Sequence, residues 1–209
     1  MKERGMIFNG EMVRAILDGR KTQTRRPIKW KQTRFTEVGE REDGSKWPWS
    51  EDAEHACDFW HPCPFGAVGD RIWVRETWAD AGASAPDLKL YRANYPEHVP
   101  SIYENVPPAK EIRWTPSIHM PRTASRILLE ITDVRVERLN SISQEDAQAE
   151  VLELTGWRPT YSDPDSGGEV MTPYDNFAEL WSSIYGDESW QANPWVWVIE
   201  FKRVEGGAA

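Results

Sequence analysis

The sequence predicts a single α+β domain whose mixed β-sheet is barrel-like and flanked by helices. Three observations favour this class: segments with period-two alternation are interleaved with amphipathic helical patterns, long polar excursions separate them, and 209 residues suffice for one core. We expect the domain to span residues 1–204, with insertions around 30–64, 81–114 and 155–172, and a flexible tail at 205–209.

A short helix is predicted over residues 11–18, because its apolar residues recur at three- and four-residue spacing. Asn9 is a suitable N-cap, and Gly19 stands where a left-handed C-cap residue belongs. The basic segment 21–26 therefore follows directly after a helix end. We interpret it as a turn that is anchored on one side by packing.

The clearest strand patterns lie at 71–78, 125–139 and 194–203, where β-branched and aromatic residues alternate with polar ones. The alternation in the second of these segments shifts near Thr132 and Asp133, which indicates a β-bulge. The first insertion, rich in Trp, Pro and charge, is expected to lack regular structure.

Two further helices are predicted in the second half of the chain. Ser143 begins one of them and resembles, with Asp146, a capping box; Glu150 borders the inner face of this helix. Residues 174–185 form the other predicted helix, and Gly186 is its stop signal.

The net charge of −9 argues against broad electrostatic binding of nucleic acid, which needs cations to displace phosphate counterions. A local basic stretch nevertheless exists, and only Asp18 interrupts it. It consists of Arg14, Arg20, Lys21, Arg25, Arg26, Lys29, Lys31 and Arg34. This stretch is either a solvated basic face or a cradle for a phosphate or a polar ring.

The chain has two cysteines, so no disulfide framework of a secreted domain is present. Residues 1–8 lack the apolar region of a signal peptide, and no apolar run approaches membrane-spanning length. We therefore expect a soluble protein in the reducing cytoplasm, without a membrane partner. The oligomeric state stays open.

Four metal-capable side chains fall within nine residues, as His55-x-Cys57 and His61-x-Cys63. Zinc accepts two histidines and two cysteines, but the one-residue gaps are shorter than those of the usual zinc knuckle. The alternative is a loop with free thiols. We expect no cofactor, and zinc at these four residues is the hypothesis to be tested against that expectation.

Gly19, Lys21, Thr24 and Arg26 together resemble the G-x-K-x-x-[E/T]-x-R signature of ASCH domains, a branch of the PUA-like superfamily. The preceding helix, the strand start at Gly69-Asp70 and the terminal strand also resemble that family. The Ile118-His119-Met120-Pro121 segment is similar to longer ASCH proteins found in phages and prophages. The resemblance implies a PUA-like mixed β-barrel flanked by helices, with long loop excursions.

Within this superfamily the basic segment most resembles the small bacterial N4-acetylcytidine amidohydrolases. The resemblance implies hydrolysis of N4-acylated cytidine or cytosine, in which N4-acetylcytidine and water give cytidine and acetate. Those enzymes use a lysine and a threonine of this segment and a glutamate of a later helix. The resemblance therefore implies that Lys21, Thr24 and Glu150 are the catalytic residues.

The chemistry of these residue types agrees with that role. Amide hydrolysis needs a nucleophile, a base for its proton and an acid for the leaving nitrogen. Lys21 can accept the proton of the Thr24 hydroxyl if burial or cationic neighbours lower its pKa. Glu150, beside apolar residues on a helix edge, would then protonate the departing amine.

Each of these residues also has a plainer interpretation. Lys21 is equally typical of a solvated lysine, Thr24 of a turn residue, and Glu150 of an exposed helix glutamate. Arg26 either contacts the substrate or pairs with an internal carboxylate such as Glu76.

Substrate binding is assigned to Arg26, Arg20, Glu76 and His119. His119, in a proline-flanked segment, is either a base that lines the pocket or a structural histidine. One of the twelve tryptophans is a candidate for stacking on a flat ring, although the indoles also suit a core.

We expect a small nucleoside or base as the partner, while nucleic acid is disfavoured by the net charge. The alternative function is a non-catalytic module that binds RNA or modified nucleotides. A metal-dependent ribonuclease is a third hypothesis, but no acidic metal-binding cluster is evident in the sequence. The preferred acyl group and the role of the insertions stay open.

Overall fold

The computed structural model describes residues 1–29, 36–52, 57–83, 85–150 and 172–204. These residues contain ten β-strands and four α-helices, together with short 3-10 turns. The predicted α+β class is therefore confirmed. No helix in these stretches has both the length and the apolar character needed to cross a bilayer.

The strands in chain order are β1 (Glu3–Ile7), β2 (Gln23–Pro27), β3 (Thr36–Glu40), β4 (Lys46–Asp52), β5 (Cys57–Trp60), β6 (Arg71–Arg75), β7 (Trp78–Asp80), β8 (Lys89–Tyr91), β9 (Leu128–Arg138) and β10 (Trp195–Arg203). The helices are α1 (Gly10–Leu17), α2 (Gln144–Glu150), α3 (Pro173–Tyr185) and α4 (Asp187–Gln191).

A five-stranded mixed sheet forms the centre, in the order β1-β6-β9-β10-β2. The β1–β6 pair is parallel, and the other pairs are antiparallel. The register between β9 and β10 shifts where Glu200 pairs with Asp133 and Phe201 with Ile131, so Thr132 is passed over. This irregularity confirms the predicted bulge. Closure of the sheet into a barrel stays a prediction.

Helix α1 connects the two edge strands, β1 and β2. The Asn9 side chain caps it by accepting a hydrogen bond from the Met12 amide at 2.8 Å. The helix is followed by Gly19 at φ +74°, a left-handed conformation that glycine adopts without strain. The amides of Arg20 and Lys21 then donate to one carbonyl inside the helix, so the chain turns sharply toward β2.

The interpretation of segment 21–26 as a turn is wrong for most of its length. Residues Gln23–Pro27 form β2, in which Thr24 pairs with Ile199 and Arg25 with Val198 of β10. The short polar sequence carries little β-propensity of its own. Its pairing with the apolar strand β10 sets its conformation, which is a tertiary effect.

The first insertion has regular structure where the sequence predicted none. Its strands β3, β4 and β5 form an antiparallel sheet, in which Trp49 lies opposite Trp60. Trp47 packs edge-to-face on the core residue Trp197, with ring centroids 5.0 Å apart. Aromatic pairs across neighbouring strands thus stabilise β3 to β5. The charged residues in this segment hide the alternation that would have predicted strands from the sequence.

The second insertion contains β8, which pairs with β7 immediately before the insertion, so that Asp80 lies opposite Lys89. Most of the third insertion and the whole C-terminal tail lie outside the described residues, so both expectations stay predictions. The predicted strand at 71–78 is right only for Arg71–Arg75, which form β6, since Trp78 begins β7 in a separate sheet; the terminal strand is seen as β10.

Helices α2 and α3 cover one side of the β9–β10–β2 region. The predicted capping box of α2 is half right, because the Asp146 amide donates to the Ser143 hydroxyl at 3.0 Å while the Asp146 carboxylate binds residues of β2. Helix α3 has a complete capping box between Thr172 and Asp175. Its inner face joins a second core cluster, formed by Leu139, Ile142, Ala147, Phe177, Trp181, Val196 and Val198.

Candidate active site

Lys21 and Glu150 form a buried ion pair between the start of β2 and the end of the described part of α2. The Lys21 ammonium donates to the Glu150 carboxylate at 3.0 Å and to the Glu150 main-chain carbonyl at 3.2 Å. The two residues are only 2% and 3% exposed. The solvated-lysine and exposed-glutamate interpretations are therefore wrong.

Main-chain hydrogen bonds hold the segment that carries Lys21 next to the end of α2. The Thr22 amide donates to the Ala149 carbonyl at 3.1 Å, and the Thr22 carbonyl accepts from the Phe201 amide at 2.8 Å. Thr22 thus joins the strand β10 to the helix α2. Its neighbour Lys21 is held beside Glu150, the residue that follows Ala149.

Arg25 is the second cation on Glu150. Its guanidinium donates to the free Glu150 oxygen at 3.1 Å, to Asp146 at 2.9 Å and to Glu137 of β9 at 3.2 Å. The Arg25 side chain is fully buried. Its two terminal nitrogens therefore hold three carboxylates, which restricts the positions of all of them, while its buried Nε has no hydrogen-bond partner among the described residues.

An outer layer of polar side chains fixes the carboxylates around Arg25. The Gln23 amide donates to the Asp146 carboxylate at 3.0 Å and to its carbonyl at 2.9 Å. Arg135 donates to Glu137 at 2.6 Å and to Asp146 at 3.2 Å. It also pairs with two carboxylates at the sheet surface, Asp133 and Glu200.

Burial lowers the pKa of Lys21, and the positive charges of Arg26 and Arg25 act in the same direction. The Glu150 carboxylate opposes this effect by its charge and its hydrogen bond, without reversing it. The site therefore favours the neutral amine more than water does. A neutral amine is the form that accepts a proton.

The charge of Asp146 is stabilised by its partners. Partial burial raises the pKa of Asp146. Hydrogen bonds from Gln23 and Arg25, together with the charges of Arg25 and Arg135, lower it by a larger amount, so the pKa lies below its ordinary value. Asp146 is thus a permanent anion at neutral pH that anchors Arg25.

A shallow depression lies beside the ion pair and encloses about 20 Å³, the room of about one water molecule. One wall is polar and consists of Thr24, Arg25, Arg26 and Glu150. The other wall is apolar and consists of Met12, Phe177, Leu180, Trp181, Ile184 and Tyr185. Ligand sites commonly combine an apolar wall with a few convergent polar groups.

Two of the three predicted catalytic residues, Thr24 and Glu150, line this depression together, and Lys21 is hydrogen-bonded to Glu150. Thr24 is buried and lies in the strand β2, so its interpretation as a turn residue is wrong. The Lys21 ammonium is engaged by Glu150 and makes no described hydrogen bond to the Thr24 hydroxyl. The structure thus pairs the amine with the carboxylate, and the described residues show no hydrogen bond from the Thr24 hydroxyl to either group.

Arg26 also lines the depression. Its guanidinium donates to the Ile7 carbonyl at 2.8 Å and lies over the Phe8 ring, 5.5 Å from the centroid. Its buried Nε has no hydrogen-bond partner among the described residues.

The suggested Arg26–Glu76 pair is wrong. Arg126 holds both oxygens of Glu76, at 2.9 and 3.0 Å, and also donates to Asn94 at 2.9 Å. Glu76 is buried in this bidentate pair, while Arg126 is partly buried and lies over the Tyr91 ring. Glu76 is thus engaged in a structural cluster, and its role in substrate binding stays a prediction.

His119 and Arg20 do not line the described depression. His119 is exposed at the end of a short 3-10 turn, Ser117–His119. Arg20 is exposed and pairs with Asp18 at 2.9 Å. Substrate contacts of these two residues stay predictions.

The proposed zinc ligands fall partly outside the described part of the chain, which includes neither His55 nor the Cys57 side chain. His61 exchanges a hydrogen bond with the Ser50 hydroxyl at 2.9 Å. Cys63 is a free thiol in the main core, and burial raises its pKa. Within the described residues, no group of three or more His, Cys, Asp or Glu side chains is placed to hold a metal.

Sequence reasoning named Arg25 only as one of the cationic neighbours that could lower the pKa of Lys21, and it missed Glu137 and Asp146 as neighbours of the site. Their contacts join residues more than one hundred positions apart, which composition cannot reveal. One usable signal was present: Gln23 and Arg25 stand two residues apart, which is the spacing of one face of a strand.

Comparisons of the chain with protein-family models, with curated proteins and with solved structures found no match. Membership of a family therefore stays a prediction, and the function is inferred from the geometry described above.

Proposed function

We propose that this chain is an amidohydrolase that removes the acyl group from N4-acylated cytidine or cytosine, on a PUA-like scaffold of the ASCH type. One observation carries the proposal: the buried Lys21–Glu150 pair, joined at 3.0 Å, adjoins a depression that Thr24 and Glu150 line. A nucleophile, a base and an acid are the groups that amide hydrolysis requires.

The state of Lys21 suits a general base. Burial lowers its pKa, so a larger fraction of the amine is neutral near physiological pH than for a lysine in water. A hydroxyl such as that of Thr24 becomes a useful nucleophile only when a neighbouring base takes its proton. Glu150 is the hydrogen-bonded link between the amine and the depression.

In the first half of the reaction, the Thr24 oxygen adds to the acyl carbon while its proton passes by way of Glu150 to Lys21. The tetrahedral intermediate then collapses, and the bond between the acyl carbon and N4 breaks. The leaving nitrogen takes a proton from Glu150, which regains one from Lys21 across their hydrogen bond. Cytidine departs, and an acyl ester remains on Thr24.

In the second half, water adds to the ester carbon as Lys21 and Glu150 accept its proton. The ester bond breaks, the Thr24 oxygen regains a proton, and the carboxylic acid leaves. The sum is one N4-acylcytidine and one water giving cytidine and the acid. The guanidinium of Arg26, which lines the depression, is the candidate donor to a carbonyl of the substrate.

The surroundings support a small, flat and uncharged substrate. The aromatic side chains of α3 form the apolar wall, and aromatic faces bind planar rings. The net charge of −9 opposes a polyanionic substrate and leaves a nucleoside or base unaffected. The mixed sheet, flanked by α2 and α3, supports the PUA-like scaffold, and we place the protein in the cytoplasm.

The test is the release of cytidine from N4-acetylcytidine, followed by chromatography, with a panel of other N4-acylcytidines to define the acyl group. Thr24→Val keeps the shape of the side chain but removes the nucleophile, so we expect loss of at least about a hundredfold in kcat. Thr24→Ser keeps a hydroxyl and should retain part of the activity. Thr22→Val, at the neighbouring exposed threonine, is the matched control and should stay active.

A second candidate, a non-catalytic module that binds modified nucleotides, is favoured by the combination of apolar and polar side chains that line the depression. Measurements with N4-acetylcytidine distinguish the two functions. Saturable binding of N4-acetylcytidine by calorimetry, with no cytidine formed by the wild type, would refute the hydrolase and support the binding module.

A further inference from the structure

We propose that Arg25 is a positioning residue that divides the Glu150 carboxylate between two cations and so keeps Lys21 able to release its proton. The catalytic consequence rests on the function proposed above. The electrostatic relationship itself does not, because it concerns three side chains of the protein without a ligand.

The division is visible in which oxygen each cation holds. Lys21 binds one Glu150 oxygen at 3.0 Å, and Arg25 binds the other at 3.1 Å. A carboxylate shared in this way stabilises each cation less than it would stabilise one cation alone. Arg25 thus limits the attraction that would otherwise favour a charged Lys21.

Arg25 cannot shift toward Glu150, because two other carboxylates hold it from the far side. Asp146 binds it at 2.9 Å and Glu137 at 3.2 Å. Gln23 and Arg135 fix these carboxylates in turn. The guanidinium also lies 5.9 Å from the centre of the Phe177 ring on α3. Its position is therefore set by contacts from β9, α2 and α3.

The charged groups around Lys21 make the direction of the effect clear. Glu150 on α2 favours the ammonium form, while Arg25 and Arg26 on β2 oppose it, together with burial. Removing Arg25 would both eliminate a repulsive cation and leave Glu150 wholly to Lys21. Each change favours the protonated lysine, so the two effects add.

The decisive variant is Arg25→Gln. We expect its Lys21 to keep the proton to a higher pH than in the wild type. Activity at neutral pH should fall by roughly tenfold or more and should recover as the pH rises, because the base is present but protonated. A residue with a merely structural role would lower activity at every pH and leave the titration unchanged.

The Lys21 titration can be measured without any substrate, by NMR of protein labelled in its lysine side chains. The signal is assigned by its absence from Lys21→Met. A raised Lys21 titration in Arg25→Gln supports the positioning role even if no hydrolysis is ever detected. An unchanged titration overturns it even if the protein proves to be the proposed hydrolase. The two proposals therefore fail separately.

Arg135→Gln is the matched control, because Arg135 belongs to the same carboxylate network and has no contact with Glu150 among the described residues. We expect its Lys21 titration to match the wild type. An equal shift in both variants would mean that general loss of positive charge, rather than the division of Glu150, is responsible, and would overturn the proposal.

Arg25→Gln leaves buried carboxylates short of a cation, so it can fail to fold. Asp146→Asn in the same chain removes one of these anions, and the double variant Arg25→Gln/Asp146→Asn is then measured against Asp146→Asn alone. The amide NMR spectrum reports whether each variant is folded. A raised Lys21 titration in the double variant supports the proposal, and an equal one overturns it.

Discussion

Arg26, on one edge strand of the central sheet, donates a hydrogen bond at 2.8 Å to the carbonyl of Ile7, the last residue of the other edge strand. Its guanidinium also lies over the ring of Phe8, the next residue. The ends of β1 and β2 are therefore joined, although four other pairings separate them in the sheet order. The residue that the sequence pattern assigned to substrate also holds the scaffold together.

Arg26→Gln should destabilise the protein, because it removes a charge-assisted hydrogen bond and the ring contact at the junction of the two edge strands. We expect the free energy of unfolding to fall by about 1–3 kcal/mol, measured by urea denaturation. Lys29→Gln, at an exposed position of the same basic stretch, should change it by less than about 0.5 kcal/mol. Equal stability of the two variants would contradict the joining role.

The stability contributed at Lys21 should increase with pH above neutrality. The folded-state pKa of Lys21 lies below the ordinary value of 10.5, so between these two values the unfolded chain binds more protons than the folded one. The stability of the wild type relative to Lys21→Met should therefore rise with pH through this window and level off above about 10.5. Urea denaturation at a series of pH values measures it, and a difference that is flat or falls with pH would be inconsistent with a lowered pKa.

Asp146→Asn should show the opposite window. The folded-state pKa of Asp146 lies below 3.8, so its contribution is present above that value and is lost as the pH falls through the folded pKa. At neutral pH we expect a loss of about 1–3 kcal/mol, since a hydrogen-bonded anion is removed from Arg25. The difference from the wild type should vanish in strong acid, and a constant difference down to that range would refute the assignment.

The buried pair of Glu76 and Arg126 should be important for stability. Glu76→Ala leaves the guanidinium without its bidentate partner, and breaking a buried pair in this way costs about 3–5 kcal/mol. Replacing both partners, in Glu76→Ala/Arg126→Met, should recover part of the loss, because no charge is left unpaired. A single variant as stable as the wild type would show that the pair is not required.

Ile184 offers a test of the apolar wall, since it lines the depression and is 45% exposed. Ile184→Asp should raise KM for N4-acetylcytidine by roughly tenfold, because a charge would replace apolar contact area with the substrate. Ser183→Ala, at the preceding helix position, is the control and should leave KM unchanged. If both variants bind substrate like the wild type, the ligand does not occupy this depression.

The sequence predicted those parts of the fold in which local pattern and tertiary environment agree. Strand β9 and helix α3 both carry a clear periodicity, and Asn9 caps α1 as the sequence predicted. The bulge at Thr132 could also be predicted, because the alternation of apolar and polar residues shifts by one position there.

The parts that were missed depend on partners distant in sequence. Strand β2 is short and polar, and β3 to β5 are stabilised by tryptophan contacts across strands and with Trp197 of the core. Which carboxylates would surround Arg25 depends on how α2 packs against β2, and no local pattern encodes that. The sequence therefore predicted candidate catalytic residues, and it did not predict the side chains that hold them in place.

The main-chain bonds of Thr22 make the location of the site independent of side-chain identity. Its amide bonds to α2 and its carbonyl bonds to β10. Substitutions at positions 21 and 150 change neither of these main-chain groups. The same main-chain framework can therefore hold other pairs of side chains at positions 21 and 150. A proline at position 22 would remove the amide donor and with it the main-chain hydrogen bond that joins this segment to α2.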